Sequence, residues 1–335
     1  MSDSPIGCTI DLGGDGRQVG RLQVPRSSNT AGWASTHVPI ATVANGSGPT
    51  VLVLGGNHGD EYEGQVAALN LARDLRPEQV SGRVIVVPVL SMDASKAGTR
   101  LWPSGANFNR SFPGSTDGPA NEQLADFLTR YLIPPADVVI DMHSGGRSTY
   151  FMVCSHMHVV EDAEQRRRML EGMLAWNTDF HFLYTDDAGS GLLPVEAEEQ
   201  GKVVVTTELG GGGHVTADTH RVAQDGLANV LRWAGVVEGD AVARDDAVIL
   251  DGRDPRNYLF APESGVFEAL VDPGTEVAAG QPVGRLHFIE RPDRPPEVVA
   301  AALAGVVCGI RAISTTAQGD NVVVTGQPID RSALL

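Results

Sequence analysis

Two imidazoles and one carboxylate stand out in the sequence as groups suited to shared chemistry. His58 and Glu61 lie three positions apart, directly after the apolar run VLVLGG (51–56), and His143 ends a second run, ADVVIDMH (136–143). Two histidines and a carboxylate form a ligand set for catalytic zinc, because three protein ligands leave a fourth position open to water. Such a metal lowers the pKa of a water towards ~7, so hydroxide becomes available at neutral pH. His-x-x-Glu alone is common in surface turns and helix caps, and Asp60 inside it is a candidate cap for the helix that follows. The flanking glycines and the partner at 143 favour the metal reading.

Other polar groups gather near the ends of apolar runs. Asp141 and His143 share a strand face, because side chains alternate along a strand. Asp141 is therefore either an acceptor that orients His143 or a structural carboxylate bound to nearby backbone. Glu208 ends KVVVTTEL (202–209). A carboxylate is costly to bury there without a purpose, and it is a candidate general base. Arg100, Asn109 and Arg110 lie in the loop after RVIVVPVL (83–90). The glycines at 210–213 lack a following GK[ST] and any dinucleotide-binding spacing, so they read as a turn needing unusual backbone angles. His214 is a weaker candidate ligand than His143, since a glycine-rich loop positions it poorly. No GxSxG elbow is present, and Ser144 points away from the adjacent His143, which excludes a serine hydrolase. His156 and His158 read as surface histidines.

The elements that position these groups are four near-continuous apolar runs, 51–56, 83–90, 136–143 and 202–209. Strands buried on both faces of a mostly parallel sheet have this pattern. Helical patterns over 61–76, 119–133, 159–176 and 217–233 separate or follow them. Alternating strands and helices imply an α/β domain, whose sites form outside the carboxyl ends of the strands. That placement would deliver both histidines, both glutamates and the arginines to one crevice. Residues 8–24 and 37–44 read as an entry hairpin or edge strands. Arg166, Arg167 and Arg168 read as a solvated helix face.

The 335 residues fit one large domain, or one large and one small. The hydrophobic content of 42% is enough for a substantial core. A net charge of −17 argues against nucleic acid and anionic membrane surfaces as partners. Cys8, Cys154 and Cys308 are odd in number and widely spaced, without a CxxC, which fits a reducing compartment and no disulfide frame. MSDSPIGCTID lacks the basic and apolar regions of a secretory signal, no run is long enough to span a membrane, and a cytoplasmic protein is expected.

A polar, small-residue stretch at 235–247 suggests a linker, with a catalytic domain carrying the candidate zinc site over 1–239 and a β-rich domain over 240–335. The tail loosely repeats itself across 261–288 and 301–329. It suggests a small barrel or flattened sandwich resembling the biotinyl/lipoyl carrier fold. The two lysines are Lys96 and Lys202, so this tail has no acceptor lysine and covalent carriage is excluded. A structural or oligomerisation role, as in a homodimer, is expected instead.

Taken together, GGNHGDEYEG (55–64), ANFNRSFPG (106–114), DMHSGG (141–146) and TTELGGGG (206–213) resemble the succinylglutamate desuccinylase/aspartoacylase family, which belongs with the zinc carboxypeptidases. The resemblance implies a mixed central sheet flanked by helices and one Zn2+ per chain. It implies that His58, Glu61 and His143 bind the zinc and that Glu208 activates water. Arg100 would polarise the acyl carbonyl, and Asn109 and Arg110 would grip the substrate α-carboxylate. The family's tail is expected to supply a side chain that closes the site. The implied activity is hydrolysis of a small N-acyl amino acid. NHGDEYEG, NRSFPG, HSGG and VTTELGGGG suggest the branch that acts on N-alpha-acetyl-L-2,4-diaminobutyrate in ectoine degradation. N-acetylaspartate and N-succinylglutamate are the alternatives, with Asp186 and Asp187 as candidate partners of a substrate ammonium. A metal-stabilised scaffold is the alternative of another class, opposed by Glu208 and the arginines.

Overall fold

The four apolar runs form adjacent parallel strands at the centre of one large mixed sheet. They are Thr50–Gly55, Gly82–Val87, Val138–His143 and Val203–Glu208. Every residue of Val138–His143 is buried, which accounts for the lack of polar alternation in that run. The computed structural model describes residues 3–185 and 191–335.

The spatial order of these strands differs from their order in the chain. Gly82–Val87 lies on one side of Thr50–Gly55, while Val138–His143 lies on the other and is followed by Val203–Glu208. Successive connections therefore leave Thr50–Gly55 in opposite directions. The crevice between Thr50–Gly55 and Val138–His143 is the topological switch point of the sheet, where open α/β sheets bind their ligands.

Antiparallel strands extend both sides. The expected edge strands at the amino end form one long hairpin, Gly16–Ser28 with Ala31–Asn45, whose second strand pairs with Gly82–Val87. On the far side, Cys154–Met157 runs antiparallel to Val203–Glu208, and Phe180–Leu183 and Val248–Asp251 follow.

Helices Tyr62–Asp74, Ala163–Leu174 and Ala217–Trp233 lie within the expected segments. The second starts later than its apolar pattern, because Asp162 caps it by accepting from the Gln165 N–H at 2.8 Å. Arg166 is not part of a solvated face: it donates to the Leu334 carbonyl at 2.9 Å and pins the carboxyl-terminal turn.

The strands beyond residue 247 form two layers. Asn321–Ile329 and Gly305–Arg311 continue the main sheet next to Val248–Asp251. Gly265–Ala269, Pro282–His287, Glu297–Ala300 and Thr315–Thr316 form a separate antiparallel sheet. Phe267, Val283 and Leu286 from one layer share a core with Val307, Val322 and Val323 from the other. The three cysteines are unpaired. No helix among the described residues is long and apolar enough to cross a membrane.

The first helix sits against the sheet through Gly64. A Cβ built there would lie 2.5 Å from the Met142 Cβ and 2.9 Å from its carbonyl oxygen. Gly64→Ala must therefore push the helix away from the strand that ends in His143. We expect a loss of ~1–3 kcal/mol, typical of overpacking, read from the urea midpoint. An unchanged midpoint would contradict this close approach.

Candidate active site

The chain turns sharply where Thr50–Gly55 ends. Gly56 has φ +62°, and a Cβ on Gly55 would lie 2.7 Å from the Pro88 carbonyl oxygen. This compact exit brings His58 and Glu61 back over the ends of the parallel strands. Glu61 is the N-cap residue of helix Tyr62–Asp74, yet its side chain makes no capping bond. Asp60 is not a cap either. Its Oδ2 accepts the Arg147 N–H at 2.9 Å, so it tethers the loop after His143.

The Glu61 carboxylate, 2% exposed, is the centre of the site. Its Oε1 lies 2.8 Å from His58 Nδ1 and 2.9 Å from Arg100 Nη1. Its Oε2 lies 2.8 Å from His143 Nδ1 and 3.2 Å from the Ser144 N–H. The opposite ring nitrogens are also engaged. His143 Nε2 meets Asp141 Oδ2 at 2.9 Å, and that oxygen also accepts from Asn57 Nδ2 at 2.9 Å. His58 Nε2 meets Asn107 Oδ1 at 3.2 Å. Asp141 is therefore the acceptor that orients His143.

These outer contacts fix the ring tautomers. Acceptor oxygens at both Nε2 atoms place a ring proton there, so each Nδ1, which faces a Glu61 oxygen, is the ring atom available to a metal. Three such groups facing one another need positive charge between them, supplied by a proton on Nδ1 or by a metal. The ligand atoms of His58, Glu61 and His143 all lie within 4.8 Å of one another. This donor set fits a zinc ion, which takes imidazole nitrogen and carboxylate oxygen.

The acid–base properties follow from the same contacts. Burial opposes charge on His143, but the carboxylates of Asp141 and Glu61 raise it well above the usual imidazole range. Burial lowers His58. Burial also works against the Glu61 anion, but His58 and His143 hold its carboxyl well below the usual range.

Glu208 is the register partner of His143 on the neighbouring strand. Burial, reinforced by the nearby Glu61 charge, pushes its carboxyl up to about 8. Its Oε2 is buried with no hydrogen-bond partner among the described residues. A buried carboxylate made more basic in this way, with an unsatisfied oxygen, is suited to take a proton from water.

These groups line one cavity of about 310 Å³ together with Arg100, Asn109 and Arg110. Asn109 is fixed because its Oδ1 accepts the Leu193 N–H at 2.9 Å, which leaves Nδ2 as its side-chain donor. Phe151, Phe182, Tyr184 and Tyr258 form an aromatic part of the wall. Tyr258 and Val324 are the tail's contribution, and neither carries a motif that marks it in the sequence.

Other candidates fall outside this constellation. His214 is exposed, its Nδ1 3.3 Å from the Gly212 carbonyl. His158 pairs with Glu198 at 2.9 Å. His156 is not a surface histidine: it is buried in the cavity wall, bonded to Thr206 and Thr207, and burial lowers its pKa to about 3. Asp186 and Asp187 lie outside the described residues. Gly210 to Gly213 all have positive φ, as the expected turn requires. Their backbone closes onto the loop after His143, through Gly145 N–H to Gly210 O at 3.0 Å and Gly213 N–H to Gly146 O at 2.8 Å.

Comparison with known proteins gives a consistent result. Residues 47–234 match the model of the succinylglutamate desuccinylase/aspartoacylase catalytic domain. The chain is 39% identical over 329 residues to the N-alpha-acetyl-L-2,4-diaminobutyric acid deacetylase of Halomonas elongata, covering 98% of this chain and 96% of that protein. The product-bound ectoine utilization protein EutE (DoeB) of Ruegeria pomeroyi superposes with a TM-score of 0.94 at 38% identity, covering 97% and 99% of the two chains. A succinylglutamate desuccinylase/aspartoacylase structure from Rhodobacter sphaeroides gives 0.93 at 37%, covering 98% and 100%.

If Asp141 orients His143 for a metal, Asp141→Asn should keep the fold and weaken zinc binding by ~10–100-fold. Competition with a chromophoric chelator measures this. An unchanged affinity would reduce Asp141 to a structural carboxylate.

Proposed function

The chain belongs to the succinylglutamate desuccinylase/aspartoacylase family, and from that membership we propose that it is a zinc-dependent deacetylase of N-alpha-acetyl-L-2,4-diaminobutyrate in ectoine breakdown. The observation that carries the reading is one cavity holding a His–Glu–His donor set, a carboxylate with an unsatisfied buried oxygen and two guanidinium groups. The near full-length likeness to a deacetylase of that substrate supports the choice of acyl amino acid.

His58, Glu61 and His143 would hold the zinc. When bound, the ion polarises an acyl carbonyl and makes a water acidic. The residues of the chain carry the remaining steps. Asn109 and Arg110 hold the substrate α-carboxylate, the guanidinium acting as a planar fork. Arg100, beside Glu61, faces the carbonyl oxygen as negative charge develops on it. Glu208 accepts a proton from the attacking water and passes it to the amide nitrogen as the C–N bond breaks. Water is consumed, and acetate and a free amino acid leave.

Glu208→Gln should retain zinc and fold but lose ~10²–10⁴-fold in turnover, the range of general acid–base catalysis. Near-normal activity in that variant would exclude Glu208 as the base. N-alpha-acetyl-diaminobutyrate should be cleaved much faster than its side-chain-acetylated isomer in a parallel acetate-release assay. Equal rates would remove the case for α-amide selectivity.

A further inference from the structure

Resting on that metal reading, we infer that Asn107 is the positioning residue of His58 and that it links the metal centre to the substrate-carboxylate clamp. Asn107 is the N-cap of the short turn Phe108–Arg110, which carries both proposed clamp residues. Its Oδ1 accepts the Asn109 N–H at 3.1 Å and lies 3.2 Å from His58 Nε2. A backbone N–H can only donate, so the side-chain atom at this point is the oxygen. His58 Nε2 must then be the donor, which directs the Nδ1 lone pair towards Glu61. One amide oxygen thus sets the tautomer of a metal ligand and the start of the turn that holds Asn109 and Arg110.

The surrounding bonds hold that oxygen in place. The Asn107 carbonyl accepts from the Arg110 N–H at 3.1 Å and the Ser111 hydroxyl at 3.3 Å. Ser111 Oγ in turn accepts from Asn121 Nδ2 at 2.8 Å, on helix Ala120–Phe127. The two imidazoles are therefore oriented differently. His143 leans on the carboxylate of Asp141, whereas His58 leans on a neutral amide. A neutral acceptor leaves His58 the less basic ligand, because a carboxylate acceptor raises ligand basicity. Displacement of Asn107 should disturb metal affinity and substrate affinity together, which a merely structural loop residue would not do.

The test compares wild type with Asn107→Ala and Asn107→Asp. Zinc affinity is read by chelator competition, KM and kcat on N-alpha-acetyl-diaminobutyrate, and folding by circular dichroism. Asn107→Ala should weaken zinc by ~10–100-fold and raise KM several-fold. Asn107→Asp keeps an acceptor for both donors and should bind zinc at least as tightly as wild type, with KM restored. Unchanged zinc affinity and KM in a folded Asn107→Ala would overturn the inference while leaving the metal reading intact. If Asn107→Ala does not fold, Asn107→Asp decides, and zinc binding weaker than wild type overturns the inference. A wild-type chain that takes up no zinc would overturn the metal reading itself, and this inference with it.

Discussion

The site depends on one buried carboxylate. Glu61 is removed from water, and a carboxylate in that position is tolerated only if the groups around it compensate for lost hydration. The Arg100 guanidinium and the Ser144 N–H do so here, and each imidazole Nδ1 does so through a proton or a shared metal, all within 3.2 Å. The surrounding architecture brings them together: a glycine exit from Thr50–Gly55, a helix that starts at Tyr62, and a neighbouring strand that ends at His143. Glu61 also acts at a distance. Its charge adds to burial in raising the Glu208 carboxyl to about 8. The ligand set and the candidate base are therefore parts of one electrostatic arrangement.

Much of this was legible in the sequence because the relevant signals are local. Strands buried on both faces show as continuous apolar runs, and polar residues at or just after the ends of the runs mark the edge of the sheet where a site forms. His58, Glu61, His143 and Glu208 could be found in that way, and the structure brings them to one cavity with Arg100, Asn109 and Arg110. The roles of Asp60 and Asn107 were not legible. Aspartate before a helix reads as a cap, but its partner here, the Arg147 N–H, is distant in sequence. Asn107 meets His58 across two loops, and no spacing rule links them.

The tail was legible as β structure but not in its placement. Its strands pair with each other and also with Phe180–Leu183 and Thr149–Phe151, contacts that local alternation does not specify. The main sheet therefore runs without a break into the carboxyl-terminal region, and Tyr258 and Val324 reach the cavity wall. His156 was misread for a similar reason. Two histidines alternating around Met157 look exposed until the partner strand supplies Thr206 and Thr207 to satisfy both ring nitrogens of His156.

The claim that Glu61 and two Nδ1 lone pairs form a metal centre is tested most directly by anomalous diffraction at the zinc edge from crystals of the zinc-loaded protein. The account predicts a single strong peak among His58 Nδ1, His143 Nδ1 and the Glu61 carboxylate, with both Nε2 atoms still bonded to Asn107 and Asp141. Zinc bound elsewhere, or bound through Nε2 of either histidine, would contradict it.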